Sequence, residues 1–246
     1  MEFPVMANAR RKRFKNSQYE EMIPEIPKNF AVEVHEDNDE TILTIYGDIG
    51  ESWWFESTSA NDIDRALKEV KTSNITIRLN SPGGDAFDGI TIYNRLKDHE
   101  ANVKIIVDGW ACSAASIIAM AADELILNTG AMMMVHEAWT YTMGSKSDIQ
   151  KTVDMLGKLD QSLLDIYMTK ANVTREEMEQ FVKNETWFTA GEAIDIGFAS
   201  TTTEDDEDGI DNTDSEVFKN SVLARLKQSQ KQNSNILNKF QRNSNE

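Results

Sequence analysis

The sequence predicts an α/β fold, a parallel sheet covered by helices. Two observations carry this. Short runs of branched apolar residues alternate with longer stretches whose apolar residues recur every three or four positions, which is the order of stacked βαβ units. Turn residues follow the ends of those runs, most densely at Asn80-Ser-Pro-Gly-Gly84. No internal repeat competes with this reading.

The elements follow in order. Ala31–His35 and Thr41–Tyr46 read as strands joined by the polar turn Glu36–Glu40. Ser59–Lys71 places Ile63, Ala66, Leu67 and Val70 on one helical face. Asn74–Leu79 is a strand that runs into the double-glycine turn, and Ala86–His99 is the next helix. Val103–Val107 is a strand leading through Asp108-Gly109-Trp110 to the small, apolar helix Ser113–Ala122. Two short strands follow, Glu124–Leu127 and Met132–Val135. A long helix over Ser147–Lys170 carries apolar residues in rough heptad spacing. Thr174-Arg-Glu-Glu177 has the pattern of a capping box and opens another helix. Trp187-Phe-Thr189 and a short helix Ala190–Ile196, stopped by Gly197, end the folded part.

Three regions are expected: a basic arm at 1–28, an α/β domain at 29–200, and an acidic then polar and basic tail at 201–246. The charge is blocked accordingly. Arg10–Lys15 holds five cations in six positions, and 204–216 holds eight acids with no base. Such blocks read as solvated tails. The net charge of -17 argues against a general nucleic-acid binder, which needs a basic surface. With 40% hydrophobic residues, a packed globular body is expected. Cys112 is the one cysteine, so no internal disulfide and no multi-cysteine metal site can form. His35, His99 and His136 are scattered without zinc-ligand spacing. The run Ala111–Ala122 is far shorter than the ~20 residues of a membrane span. No apolar stretch follows the basic N-terminal residues as in a secretory leader. A reducing cytoplasm is the expected setting.

In α/β sheets, functional groups gather at the C-terminal ends of strands. After Leu79, adjacent glycines Gly83 and Gly84 expose backbone N–H groups and permit close approach. After Val107, Ser113 opens a buried helix whose N-terminus favours developing negative charge. A serine beside amide donors has the makings of an acyl-transfer site with an oxyanion hole. It needs a base, and His136, closing the strand Met132–Val135, is the histidine near a strand end in the second half.

In Ile77–Gly84, Gly109-Trp-Ala-Cys-Ser113, Met134-Val-His136 and Trp187–Gly197, the chain resembles the Clp protease proteolytic-subunit family. It is most similar to the phage and prophage peptidases of that family, which mature viral heads. The resemblance spans about Phe30 to Ser200. It implies the spiral α/β fold of the Clp protease/crotonase type, with the long helix 147–170 projecting. It implies Ser113 as nucleophile, His136 as base, and the amides of Gly84 and Ala114 as oxyanion donors, with Gly83 in the same substrate-binding turn. Ser116 is the rival register, without a glycine at the matching distance. The resemblance further implies a serine endopeptidase without metal or cofactor, in a ring-forming homo-oligomer whose sites face an inner chamber. Protein or peptide substrates are expected, with an unfoldase or phage capsid and scaffold proteins as partners. Nucleic acid and membrane are not expected as partners. The expected location is the bacterial host cytoplasm, including the interior of a phage prohead.

The chain departs from the family at one point. The family's catalytic aspartate falls on Phe181, which cannot orient an imidazole. Glu185 and Glu177 lie four residues to either side, on the same helical face. Glu185, nearer Trp187-Phe188-Thr189, is the first choice, and a Ser–His dyad completed by backbone or water is the alternative. Two other classes stay open: a crotonase-like acyl-CoA enzyme, and a catalytically idle structural or assembly protein.

Overall fold

The computed structural model describes residues 26–51 and 56–202. Most of the expected basic arm and nearly all of the expected tail, with both charge blocks, lie outside the described residues.

The hairpin comes first. β1 (Asn29–His35) and β2 (Glu40–Tyr46) pair antiparallel around a 3-10 turn, Glu36–Asn38, which Asp39 closes in the left-handed region. The short strands β3 (Asp48–Ile49) and β4 (Ser57–Thr58) pair with each other. Helix α1 (Ala60–Glu69) starts on a reciprocal cap: Ser59 Oγ accepts the Asp62 N–H, and the Asp62 carboxylate accepts the Ser59 N–H. β5 (Asn74–Ser81) leads through the glycine turn to α2 (Ala86–Lys97), capped by Asp85. β6 (Asn102–Cys112), α3 (Ala114–Ala119), β7 (Glu124–Leu127) and β8 (Met132–Val135) follow, then the long helix α4 (Lys146–Tyr167). Helix α5 (Arg175–Lys183), strand β9 (Thr186–Thr189), helix α6 (Ala190–Asp195) and strand β10 (Thr201–Thr202) end the described chain.

The main sheet runs β1-β2-β5-β6-β7-β10, with β8 joined to β6 and β9 joined to β8. All its pairings are parallel except β1–β2 and β8–β9. The predicted α/β class and element order are those found. One face of the sheet is fully buried through Leu43, Ile45, Ile77, Leu79, Ile105 and Val107. Truncating such a side chain to alanine costs about 2–5 kcal/mol. The other face carries half-exposed Thr44, Arg78, Lys104 and Glu124. Period-two alternation in β2 and β6 therefore reports a sheet buried on one side.

β6 is longer than the expected Val103–Val107 because it changes partner midway. Lys104–Val107 pairs with β7, and Trp110–Cys112 pairs with β8. The register against β5 slips between Leu79 and Ser81, and Asn80 Oδ1 accepts the Trp110 N–H there at 3.0 Å. A Cβ at Gly109 would stand 2.9 Å from that same Asn80 oxygen, so any other residue there would push the Asn80 amide off the Trp110 N–H. This irregularity carries β6 on as far as the residue before Ser113. Trp187-Phe188-Thr189, given no element from sequence, forms strand β9 together with Thr186. At the far end, β10 pairs with β7 just beyond the expected boundary at Ser200. Among the described residues no helix is long and apolar enough to cross a membrane, and no group of three or more His, Cys, Asp or Glu could hold a metal ion.

Candidate active site

Ser113 follows β6 directly and precedes α3, with φ 55° and ψ -123°. Its hydroxyl does not cap the helix. Its carbonyl does that work, accepting the Ser116 amide at 2.9 Å. A positive φ in a non-glycine residue costs of order 1–3 kcal/mol and persists only when both flanks are fixed. Here Cys112 is fully buried in the sheet, and the Ser113 amide donates to Met134 O at 2.9 Å. That twist leaves Oγ free of the helix and aimed at His136, whose Nε2 lies 2.7 Å away.

His136 is reached from the same bond. Met134, in β8, receives the Ser113 amide, and two residues later the strand has ended with the imidazole beside the hydroxyl. The ring is 7% exposed, so its nitrogens face protein more than water. Ser116, the rival register, is engaged in bonds of its own. Its Oγ donates to Ser113 O at 2.6 Å and lies 2.7 Å from the Tyr167 hydroxyl, in full burial. Burial pushes the Tyr167 phenol well above its usual range, so it stays neutral.

The glycine turn packs on the serine. A Cβ at Gly83 would stand 2.5 Å from Cys112 O and 2.7 Å from Ser113 Cβ, at φ +92°. Gly83 donates its amide to Ser81 Oγ at 3.0 Å, so it serves by close approach and not as a donor to a ligand. Gly84 forms a parallel bridge with Ile49, made by the Ile49 amide to Gly83 O and by the Asp85 amide to Ile49 O, each 2.9 Å. Both bonds run through Gly84's neighbours, which turns its own amide to the opposite side. Neither that amide nor that of Ala114, the first in α3, has an acceptor among the described residues. Two open donors thus lie near a serine already contacted by a base.

The three acidic-position candidates separate clearly. Phe181 is 1% exposed and packs edge to face on Phe188. Glu177 is committed to the start of α5, where its carboxylate accepts the Thr174 amide at 2.9 Å. Glu185 lies past the helix end at φ 51°, a left-handed turn into β9. The antiparallel register of β8 and β9 runs from Met132↔Thr189 to Val135↔Thr186, so Glu185 and His136 each sit one residue beyond its last pair. Glu185 also lies within electrostatic range of Cys112, the residue before Ser113: burial raises the thiol's pKa far above normal, and the charge of Glu185 raises it further.

A cleft of about 360 Å³ opens over Ser113 and His136. Its inner wall is apolar, from Ile117 in α3 and Leu156, Leu159 and Leu163 in α4. Exposed Phe87, Trp139 and Tyr141 also line it, and Asp48 and Asp85 supply its carboxylates. The long helix, expected to project, therefore also walls the cleft with its second half. Sequence reasoning missed that wall, because heptad-like spacing does not say what the apolar stripe covers. Asp48 was legible in principle, since it follows the C-terminal end of β2.

With this geometry in hand, comparison with known proteins is informative. The Clp protease family model matches residues 53–206. The chain is 26% identical to the ATP-dependent Clp protease proteolytic subunit of Deinococcus radiodurans over 148 residues, 58% of this chain and 72% of that protein. It is 26% identical to proteolytic subunit 1 of Chlamydia abortus, covering 56% of this chain and 77% of that protein. Proteolytic subunit 3 of Rhizobium etli is 28% identical, over 55% of this chain and 71% of that protein.

Proposed function

The chain belongs to the Clp protease family, and from that premise we propose that it is a serine endopeptidase acting through Ser113, His136 and Glu185. The observation that carries the reading is the 2.7 Å contact between Ser113 Oγ and His136 Nε2, made by a serine whose backbone is twisted away from helix capping. A crotonase-like acyl-CoA enzyme has no use for that pair, and an idle scaffold has no need of the strain.

In the reaction, a peptide carbonyl carbon lies against Ser113 Oγ. Oγ attacks, its proton passes to His136 Nε2, and the carbonyl oxygen takes the negative charge. The Gly84 and Ala114 amides donate to that oxygen, an effect worth of order 3 kcal/mol per donor in comparable sites. The C–N bond breaks as Nε2 protonates the leaving amine. Water repeats the sequence on the acyl-enzyme and returns the serine. Glu185 acts on the other side of the ring, orienting it and stabilising the imidazolium. The apolar inner wall suits one large apolar substrate side chain, and the scissile bond sits at the cleft's polar end. The chemistry runs on the chain's own residues.

The working form is a ring-forming homo-oligomer. Ile149 and Val153, one turn apart on α4 and 39% and 54% exposed, are the kind of apolar surface that a second copy covers. Substrate arrives from an unfoldase or from phage capsid and scaffold proteins, and the setting is the bacterial host cytoplasm or a prohead. The relatives named above are ATP-dependent proteolytic subunits, which supports a delivered substrate.

Labelling with a fluorophosphonate, followed by peptide mapping, tests the reading. Wild type should label on Ser113, with labelling absent in Ser113→Ala and cut by several orders of magnitude in His136→Ala. Labelling that survives Ser113→Ala, or a wild type that is inert to probe and to unfolded protein, overturns it.

A further inference from the structure

Beyond His136 the chain leaves β8 and runs to Ser145 without helix or strand. The base is therefore held by a strand on one side only. The tie on the other side comes from α4: Asp160 Oδ1 accepts the Ala138 N–H at 2.8 Å, two residues past the imidazole. Resting on the peptidase reading above, we propose that Asp160 is a positioning residue, which fixes His136 against Ser113 by holding the backbone of Ala138 to α4.

Three features carry this. The carboxylate is half-buried, a costly place for a charge on a helix otherwise rich in exposed acids. Burial raises its pKa, the Ala138 amide opposes that rise, and the neighbouring charge of Glu137 adds to it. Such a group is held where it is by the bond it makes, and a backbone amide is a fixed target. Its neighbour Leu159, and Leu163 one turn on, line the cleft. The wall that receives a substrate side chain and the loop that carries the base are thereby tied at adjacent positions of one helix. A hydroxyl-to-imidazole contact of 2.7 Å tolerates little drift, since displacement by about 1 Å in a reacting pair can cost a hundredfold in rate.

Three substitutions separate positioning from simple support. Asp160→Asn keeps an oxygen for the Ala138 amide, Asp160→Ala removes it, and Asp160→Glu keeps the charge but lengthens the arm by one methylene. The readouts are fluorophosphonate labelling rate, and kcat and KM on a fluorogenic peptide with a large apolar residue before the scissile bond. Asp160→Ala should lose tenfold or more in labelling rate and in kcat, with KM within twofold. Asp160→Asn should stay within threefold of wild type. Asp160→Glu should fall at least fivefold, and it serves as the test if the alanine variant does not fold. Wild-type rates in folded Asp160→Ala or Asp160→Glu overturn the inference while leaving the peptidase reading intact. So does equal loss in the asparagine variant. An inert wild type removes the peptidase reading, and this inference with it.

Discussion

Phe181 and Phe188 meet edge to face, ring centroids 5.4 Å apart and planes at 87°. Phe188 is in turn 5.8 Å from Phe198, so the position where the family carries its aspartate is the first member of an aromatic cluster. An acid cannot be returned there. Phe181→Asp should destabilise the fold by about 3–5 kcal/mol, from lost packing and a buried charge. Activity should not rise. Thermal melts with a parallel peptidase assay check both, and a stable, more active variant would mean that the cluster is not what excludes the acid.

Glu185, four residues later, is the carboxylate proposed to orient His136 instead. Glu185→Gln should cost at least tenfold in turnover, about 1.4 kcal/mol of transition-state stabilisation. Glu177→Gln, whose amide oxygen can still accept the Thr174 N–H, should cost less than twofold. If kcat for Glu185→Gln stays at the wild-type value, His136 is oriented by something else.

Ser116 offers a contrast with Ser113. Ser116→Ala leaves the Tyr167 hydroxyl buried without its contact, and unpartnered buried donors cost about 1–3 kcal/mol. Melting temperature should drop while fluorophosphonate labelling persists. Loss of labelling without loss of stability would instead place Ser116 in the chemistry.

Gly83→Ala forces a Cβ to within 3 Å of Cys112 O and Ser113 Cβ, at a φ that disfavours side chains. Because the clash falls on the nucleophile's own backbone, kcat should collapse even in preparations whose melting profile is only moderately shifted. Normal turnover in this variant would show that the glycine turn does not bear on Ser113.

The raised pKa of Asp160 has a pH signature. A carboxyl whose folded pKa exceeds its unfolded value supports folding fully below the unfolded value of 3.8, and that support is lost as pH rises through the folded value. Asparagine carries no such penalty. The melting temperature of Asp160→Asn relative to wild type should therefore be higher at pH 7 than at pH 4. A difference that is flat, or that shrinks with pH, would mean that the carboxylate is not penalised by its surroundings.

Much of this was readable in the chain. Alternation in β2 and β5 and the three-to-four spacing of Ile63 and Leu67 fix strand and helix because each face meets a different medium. Ser113, His136 and the glycine turn could be named as candidates because strand ends and helix starts are where such chemistry can be presented, and the first two are in contact in the structure. Other features depend on pairing between distant segments, which no local pattern encodes. The partner change of β6, the antiparallel β8–β9 ladder, and the reach of Asp160 to Ala138 are all of this kind. Glu185 was singled out as a residue on the helical face of Phe181 and near Trp187, whereas the helix ends at Lys183 and Glu185 stands in a left-handed turn after it.

Among the described residues, the non-glycine positions with positive φ are Asp39, Ser113 and Glu185. Asp39 closes a surface hairpin, Ser113 touches His136, and Glu185 directly precedes the strand paired with β8. A map of main-chain torsions, with every side chain erased, would thus still lead to the candidate site. The same torsion makes the two hydroxyl amino acids unequal at position 113. Threonine's branched Cβ is poorly tolerated at positive φ, so Ser113→Thr, which keeps a hydroxyl, should still displace it from His136.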